Sequence, residues 1–225
     1  MGVGVGVGVG LGVGVGVGVG LASVLALALR SGSGSAPGSG SGFQGDLLVG
    51  WFAQYDSSGQ VHVSDNVNGA WTRAGAETFS SGSGNIALYY VQNSKPASSA
   101  VVVTLSSDVA TYIQGAAAEY RGVASSGALD LVAMSEGSGS AADSGATPAM
   151  APGELVFAAL STGGIPGTLT PGSSQGLAFA PRAQTSTGSA ACEDILVGAA
   201  GPQSGHYGLS SPTNWYAVVA TFRPG

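Results

Sequence analysis

The sequence predicts an all-β protein, a two-sheet β-sandwich with jelly-roll-like connections preceded by an extended Gly-Val segment. Three observations carry that expectation. Residues 2 to 21 place glycine at every even position and valine or leucine at every odd one. From residue 43 onward, glycine, serine and proline break the chain at intervals of about ten residues, the spacing of short strands and turns. The segments between those breaks are rich in Val, Ile, Leu, Tyr, Phe and Trp, and none has a convincing helical period.

The opening tract discriminates between periods. On a helix, residues two apart point about 200° apart, so the odd-numbered side chains would spread around the whole circumference and define no face. Its ten glycines would each cost roughly 0.8 to 1 kcal/mol relative to alanine in an aqueous helix. On a strand the same residues become two-faced. Val3, Val5, Val7, Val9, Leu11, Val13, Val15, Val17, Val19 and Leu21 form one side and bare glycine backbone the other. The glycine side permits close approach of another sheet, as in silk-like Gly-X repeats, which the tract resembles over these 20 residues. A strand of that length reaches roughly 65 Å and leaves its ladder groups unpaired, so it calls for partners. Copies of itself, or an open groove in a neighbouring subunit, are the expected source, and the ten odd-numbered residues are the expected assembly interface. Two other readings stand beside this one. The uncharged stretch from Gly2 to Leu29 exceeds the ~20 residues of a membrane-spanning helix, and "LASVLALAL" can end a secretory signal, although no basic residue precedes Arg30.

Residues 21 to 30, "LASVLALALR", fit a short helix or a strand equally well, since Leu25, Leu27 and Leu29 alternate. The run "SGSGSAPGSGSG" at 31 to 42 is a Ser/Gly linker, able to span about 20 Å as a coil and about 40 Å when stretched. The expected organisation is therefore an assembly segment at 1–30, a linker at 31–42 and a β-sandwich head at 43–225.

Within the head, strands are expected at 46–54, 60–64, 70–74, 86–92, 100–105, 111–120, 129–134, 154–160, 176–184, 192–198, 205–210 and 215–222. Two of these stretches repeat. "GDLLVGWFA" at 45–53 matches "GELVFAALS" at 153–161, and "LSSDVATYIQGAAAEYRG" at 105–122 matches "LSSPTNWYAVVATFRPG" at 209–225. The offsets, about 108 and about 102 residues, nearly agree, which suggests two related units of about 75 residues, each giving strands to one sandwich. Trp215, Tyr216, Val218, Val219 and Phe222, with Tyr112, Ile113 and Tyr120, are expected in the core, because both parities are apolar as in a doubly covered strand.

"DLLVGWF", "DNVNGAWTRA", "IALYYVQNS", "AAAEYRGV", "GELVFAAL" and "NWYAVVATFRP" together resemble a class of bacterial secreted and surface β-sandwich modules of undefined function. The resemblance spans most of 45–224 and implies an extracellular β-sandwich. It brings no catalytic signature.

The chemistry-bearing residues are sparse. Six basic against 12 acidic side chains, a net charge of −6 and only 8% charged residues argue against nucleic acid, which rewards clustered Lys and Arg. The single cysteine, Cys192, permits no internal disulfide and reads as an inert core or strand residue. Gly172-Ser173-Ser174-Gln175-Gly176 has the spacing of a nucleophile elbow, but that elbow needs a strand before it and a helix after it, and "LAFAPRAQ" follows. His62 and His206, the only histidines, have no metal-ligand spacing and read as strand surface residues. Asp56, Asp65, Asn66 and Asn68 are oxygen donors of the kind calcium takes, yet without EF-hand spacing; Asx-turns account for them. Trp51, Trp71 and Tyr89 either stack on sugars from an exposed sheet face or lie in the core.

The expected function is that of a noncatalytic structural subunit of an extracellular filament or surface assembly, forming homo-oligomers with helical order and requiring no cofactor. A membrane-tethered adhesin or carbohydrate-binding module, contacting glycans or the cell surface, is the alternative. Membrane contact during export fits either.

Overall fold

The run "LLVGWFAQY" shows why this chain folds as sheet. Every residue of Leu47–Gln54 is buried, on both parities, as in a strand covered on both faces. In a computed structural model this strand lies at the middle of the central layer of the protein. The structure describes residues 14–17, 23–29, 44–55, 61–80, 84–97, 100–108, 111–185 and 188–225. They form seventeen strands and no helix.

The strands run β1 (Gly14–Val17), β2 (Ser23–Leu29), β3 (Leu47–Tyr55), β4 (Val61–Asp65), β5 (Gly69–Ala70), β6 (Thr72–Ser80), β7 (Gly84–Val91), β8 (Val101–Ser107) and β9 (Tyr112–Tyr120). Then follow β10 (Leu129–Asp143), β11 (Glu154–Thr162), β12 (Leu169–Pro171), β13 (Ser173–Ser174), β14 (Leu177–Ala178), β15 (Ala180–Gln184), β16 (Ala190–Val197) and β17 (His206–Phe222). One sheet has the order β1-β9-β3-β7-β6, a second β2-β8-β4-β5, and a third β10-β17-β11-β16-β15 with β12 beside β17.

The first sheet packs between the other two, where the sequence suggested a single pair of sheets. Leu48, Phe52, Val63, Trp71, Leu105 and Ile113 fill the space between the first and second sheets. Val49, Trp51, Tyr120, Phe157, Val218 and Phe222 fill the space between the first and third. The outer face of the third sheet carries smaller clusters, among them Tyr207, Leu209 and Trp215, and Met150, Val156 and Phe179. Burial of β3 on both parities is the cause: one sheet against it leaves half its apolar side chains in water.

The repeat in the sequence is a repeat in pairing. Leu47 sits opposite Tyr120 in β3/β9, and its counterpart Leu155 sits opposite Phe222 in β11/β17. β7 and β6 extend the first sheet beyond β3 as β16 and β15 extend the third beyond β11. At the other edge, β1 flanks β9 as β10 flanks β17. The second layer repeats too: β8 lies between β2 and β4, and the first half of β17 lies between the end of β10 and β12. Each unit is thus larger than the repeated stretches suggested, because it includes a strand or strand pair that precedes its "G-D/E-L" start. In the first unit that pair comes from the Gly-Val and "SVLALAL" segments; of the ambiguous 21–30, the described Ser23–Leu29 are strand.

Several local expectations need correction. Tyr112 is 50% exposed, because it begins β9 at the rim of the sheet, whereas the other seven expected core residues are buried. β10 runs to Asp143 past the expected end at Met134, since Ser135–Asp143 keeps pairing with β17. Its second half is largely exposed, so no apolar alternation marks it. Residues 211–214, which separate the expected strands 205–210 and 215–222, belong to one continuous strand, β17. Residues 176–184 divide into β14 and β15 around the buried Phe179, and β12 was not anticipated.

Glycine has a packing role at two cross-strand pairs. The Phe52 ring lies over Gly115 opposite it, where a Cβ would come within 2.4 Å of the ring, and the Trp215 ring lies over Gly137, where a Cβ would come within 2.5 Å. Gly115→Val is expected to displace Phe52 and cost about 1–3 kcal/mol through overpacking, read as a lower urea midpoint. An unchanged midpoint removes the packing role of Gly115.

Candidate functional site

The expected interface residues lie partly within the described structure. Val15 and Val17 belong to β1, opposite Gln114 and Tyr112 of β9, and Gly14 and Gly16 lie opposite Gly115 and Ile113. Val3, Val5, Val7, Val9, Leu11, Val13, Val19 and Leu21 lie outside the described residues, as does the Ser/Gly run at 31–42. β2 pairs with β8 over seven residues, from Ser23↔Ser107 to Leu29↔Val101. The two described stretches of the N-terminal segment, Gly14–Val17 and Ser23–Leu29, therefore find ladder partners in their own chain, at the edges presented by β9 and β8. On the acceptor side, β9 is rich in small residues, "QGAAA", buried throughout, and β8 alternates buried and half-buried side chains. Each acceptor strand has its other side occupied, by β3 and β4 respectively. Together β8 and β9 make a slot that takes an extended, small-residue segment by main-chain hydrogen bonds, the chemistry of strand addition.

Charged residues cluster at strand ends. Arg121 lies 3.5 Å from Asp46 and 3.4 Å from Glu119. Burial, and then the neighbouring Asp46, push the Glu119 carboxyl up to about 8. The second unit has a matching arrangement, with Arg223 paired to Asp130 and the buried Glu154 raised by burial. Between the first and third sheets, Asp194 accepts two bonds from Arg182, 2.6 Å from Nε and 2.7 Å from Nη2, and one from the Tyr120 hydroxyl. Burial raises the Tyr120 phenol well above its ordinary range, so it remains a donor. Sequence reading missed this cluster, because Tyr120 and Asp194 are 74 residues apart. Cys192 is buried on β16, and burial pushes its thiol up to about 12, which leaves it an inert core residue.

The remaining candidates resolve into structural roles. Gly172–Gly176 spans β13 and the turn to β14, with Gln175 at φ 50° and Gly176 at φ 78°, a two-residue hairpin turn with left-handed geometry. Ser174 is buried, and its Oγ accepts the Ser204 amide at 3.2 Å. His62 is exposed on β4 with Nε2 2.8 Å from Asp108 Oδ1. His206 brings Ser204 and Asp143 into a line: Ser204 Oγ is 2.7 Å from Nε2, and Asp143 Oδ2 is 3.7 Å from Nδ1. The order is that of a serine-hydrolase triad, but the amides of Ser204 and Gly205 already donate to Ser174 Oγ and Ser144 Oγ. Neither is left to stabilise an oxyanion.

Asp65 is a turn residue. Its Oδ1 accepts the amides of Val67 and Asn68 at 2.6 and 2.5 Å, and its Oδ2 accepts from Asn68 Nδ2 and Trp71 Nε1 at 2.9 and 2.7 Å. Asn66 and Asn68 accept the amides of Val102 and Lys95, fastening this Asx-turn to β8 and the loop before it; Asp56 lies outside the described residues. No group of three or more metal-ligating side chains occurs among the described residues. Trp51, Trp71 and Tyr89 are buried, as the core reading of these aromatics expects. A groove of about 430 Å3 runs beside β4, walled by His62, Trp71, Arg73 and Tyr89; the Tyr89 hydroxyl donates to the Val61 carbonyl there. Among the described residues no helix is long and apolar enough to cross a membrane. No protein-family model, curated protein sequence or solved structure matches this chain.

Proposed function

We propose that this protein is a noncatalytic structural subunit of an extracellular filament or cell-surface assembly, joined through its N-terminal Gly-Val segment, with the β-sandwich units decorating or packing the fibre. One observation carries the reading: the Gly-Val strand and its "SVLALAL" continuation engage the rest of the chain as strands added to the exposed sides of β9 and β8. That mode of contact depends on main-chain hydrogen bonds and transfers readily from one chain to another. A charged fraction of 8% suits surfaces that touch neighbours, since few charges then have to be desolvated. A jelly-roll-like winding of each unit and an extended course for the whole tract belong to the same reading.

Electron microscopy of the full chain beside a variant lacking residues 2 to 21 tests it. Fibres from the full chain and none from the deletion are the expected result. Fibres that persist in the deletion place polymerisation in the β-sandwich units and overturn the role given to the tract.

A further inference from the structure

The two units fill the same slot in different ways. In the second unit the strand flanking β17 is β10, which follows β9 after the short connection 121–128. That connection is fastened by Arg223 N–H to the Ala128 carbonyl at 2.8 Å and Ala124 N–H to the Arg223 carbonyl at 2.9 Å. In the first unit the corresponding strands are β1 and β2, joined to β3 through the run that contains "SGSGSAPGSGSG". A connection of that composition reaches about 40 Å when extended, enough to carry the strand pair to an adjacent molecule.

From this asymmetry we infer that the β8/β9 slot of the first unit is an acceptor for β1 and β2 of a second copy, in the registers those two strands have within the chain. This rests on the assembly reading above and names its joint. Exchange creates and destroys no kind of contact: β1 keeps its four pairings with β9 and β2 its seven with β8, so the balance between chains is one of concentration. For a short Ser/Gly connection the effective concentration of the strand pair is of mM order, and exchange becomes dominant where subunits are packed to that density. Head-to-tail exchange generates an open chain of subunits, whereas reciprocal exchange closes a dimer. The second unit's slot takes no part, because β10 is secured at its start.

Two single-cysteine additions to the full-length protein test this directly, using the opposed pair Ala26 and Thr104. Directly opposed antiparallel residues lie within disulfide reach. A26C and a size-tagged T104C are mixed, unfolded and refolded together at increasing concentration, then oxidised. With Cys192 replaced by alanine in both proteins and oxidant added only after refolding, a disulfide joining A26C of one chain to T104C of the other reports β2 of the first in the slot of the second. The expected result is a mixed dimer whose yield rises with concentration, and a ladder of higher species when both cysteines are placed in one chain. A mixed dimer absent at every concentration, with the double variant closing only within itself, overturns the exchange. So does a double variant that forms no disulfide at all, because the register is then wrong. The same samples are imaged: fibres without interchain disulfide overturn the exchange and leave assembly standing, while interchain disulfide without fibres overturns the filament and leaves the exchange standing.

Discussion

Asp194→Ala is expected to lower stability by about 3–5 kcal/mol, the effect of removing one partner from a buried ion pair. Asp194 is only 3% exposed, and its carboxylate takes both bonds of the Arg182 fork and the Tyr120 hydroxyl. Without it the guanidinium stays largely enclosed and uncompensated, and the phenol of the fully buried Tyr120 loses its acceptor in the middle of the interface between the two units. Three tryptophans make urea unfolding followed by fluorescence a suitable measurement. The double change Asp194→Leu with Arg182→Met restores most of the loss, since an apolar pair of similar volume is often neutral. A shift below about 1 kcal/mol for Asp194→Ala shows instead that the cluster behaves like a surface pair and does not clamp the layers.

The second large effect depends on pH. Glu193 is fully buried on β16, neither of its oxygens makes a hydrogen bond of normal geometry, and burial pushes its carboxyl up to about 8 against the pull of the Gly172 and His206 backbone groups. Glu119 is raised to about 8 as well. An acid whose folded pKa lies above the unfolded value of 4.5 keeps a proton in the folded state that the unfolded chain has released. Stability therefore falls as pH rises from about 4.5 to about 8 and levels off above that. Glu193→Gln removes one of these contributions while keeping the shape. It is expected to leave Tm nearly unchanged at pH 4 and to raise stability at pH 9 by a few kcal/mol, an order-of-magnitude figure from the linkage relation. Melting curves for both proteins across that range decide the matter: parallel pH profiles remove Glu193 as the source of the slope.

Both effects arise from residues that a linear reading passes over. "ACEDILVG" is legible as a strand from its apolar residues, but nothing adjacent in sequence marks Asp194 as the partner of Tyr120 or Glu193 as a fully buried carboxyl. Those roles exist only after β16 is placed with one parity toward the first sheet and the other toward the outer clusters. Strand positions were legible where apolar residues were dense, on both parities in β3, β9 and β11 and on alternate positions in β8. They were lost in the second half of β10, which pairing with β17 keeps extended, and in 211–214, of which only Thr213 and Asn214 pair with β10; Ser, Gly, Pro and Asn carry no apolar signal in either stretch. Tyr112 shows the opposite failure, an aromatic residue in a good strand that the rim of the sheet leaves in water.

Local chemistry by itself determined the all-β character, most strand positions and the repeat that reappears as matched pairing of β3/β9 and β11/β17. These follow from period, turn residues and side-chain size, all properties of neighbours along the chain. Tertiary structure alone decided that three sheets stack, that β1 and β2 lie against β9 and β8, and that Asp194 and Glu193 meet such different surroundings. A strand states which groups it must satisfy; which partner satisfies them depends on the edges the rest of the fold leaves open, and those edges are set by residues far away in sequence.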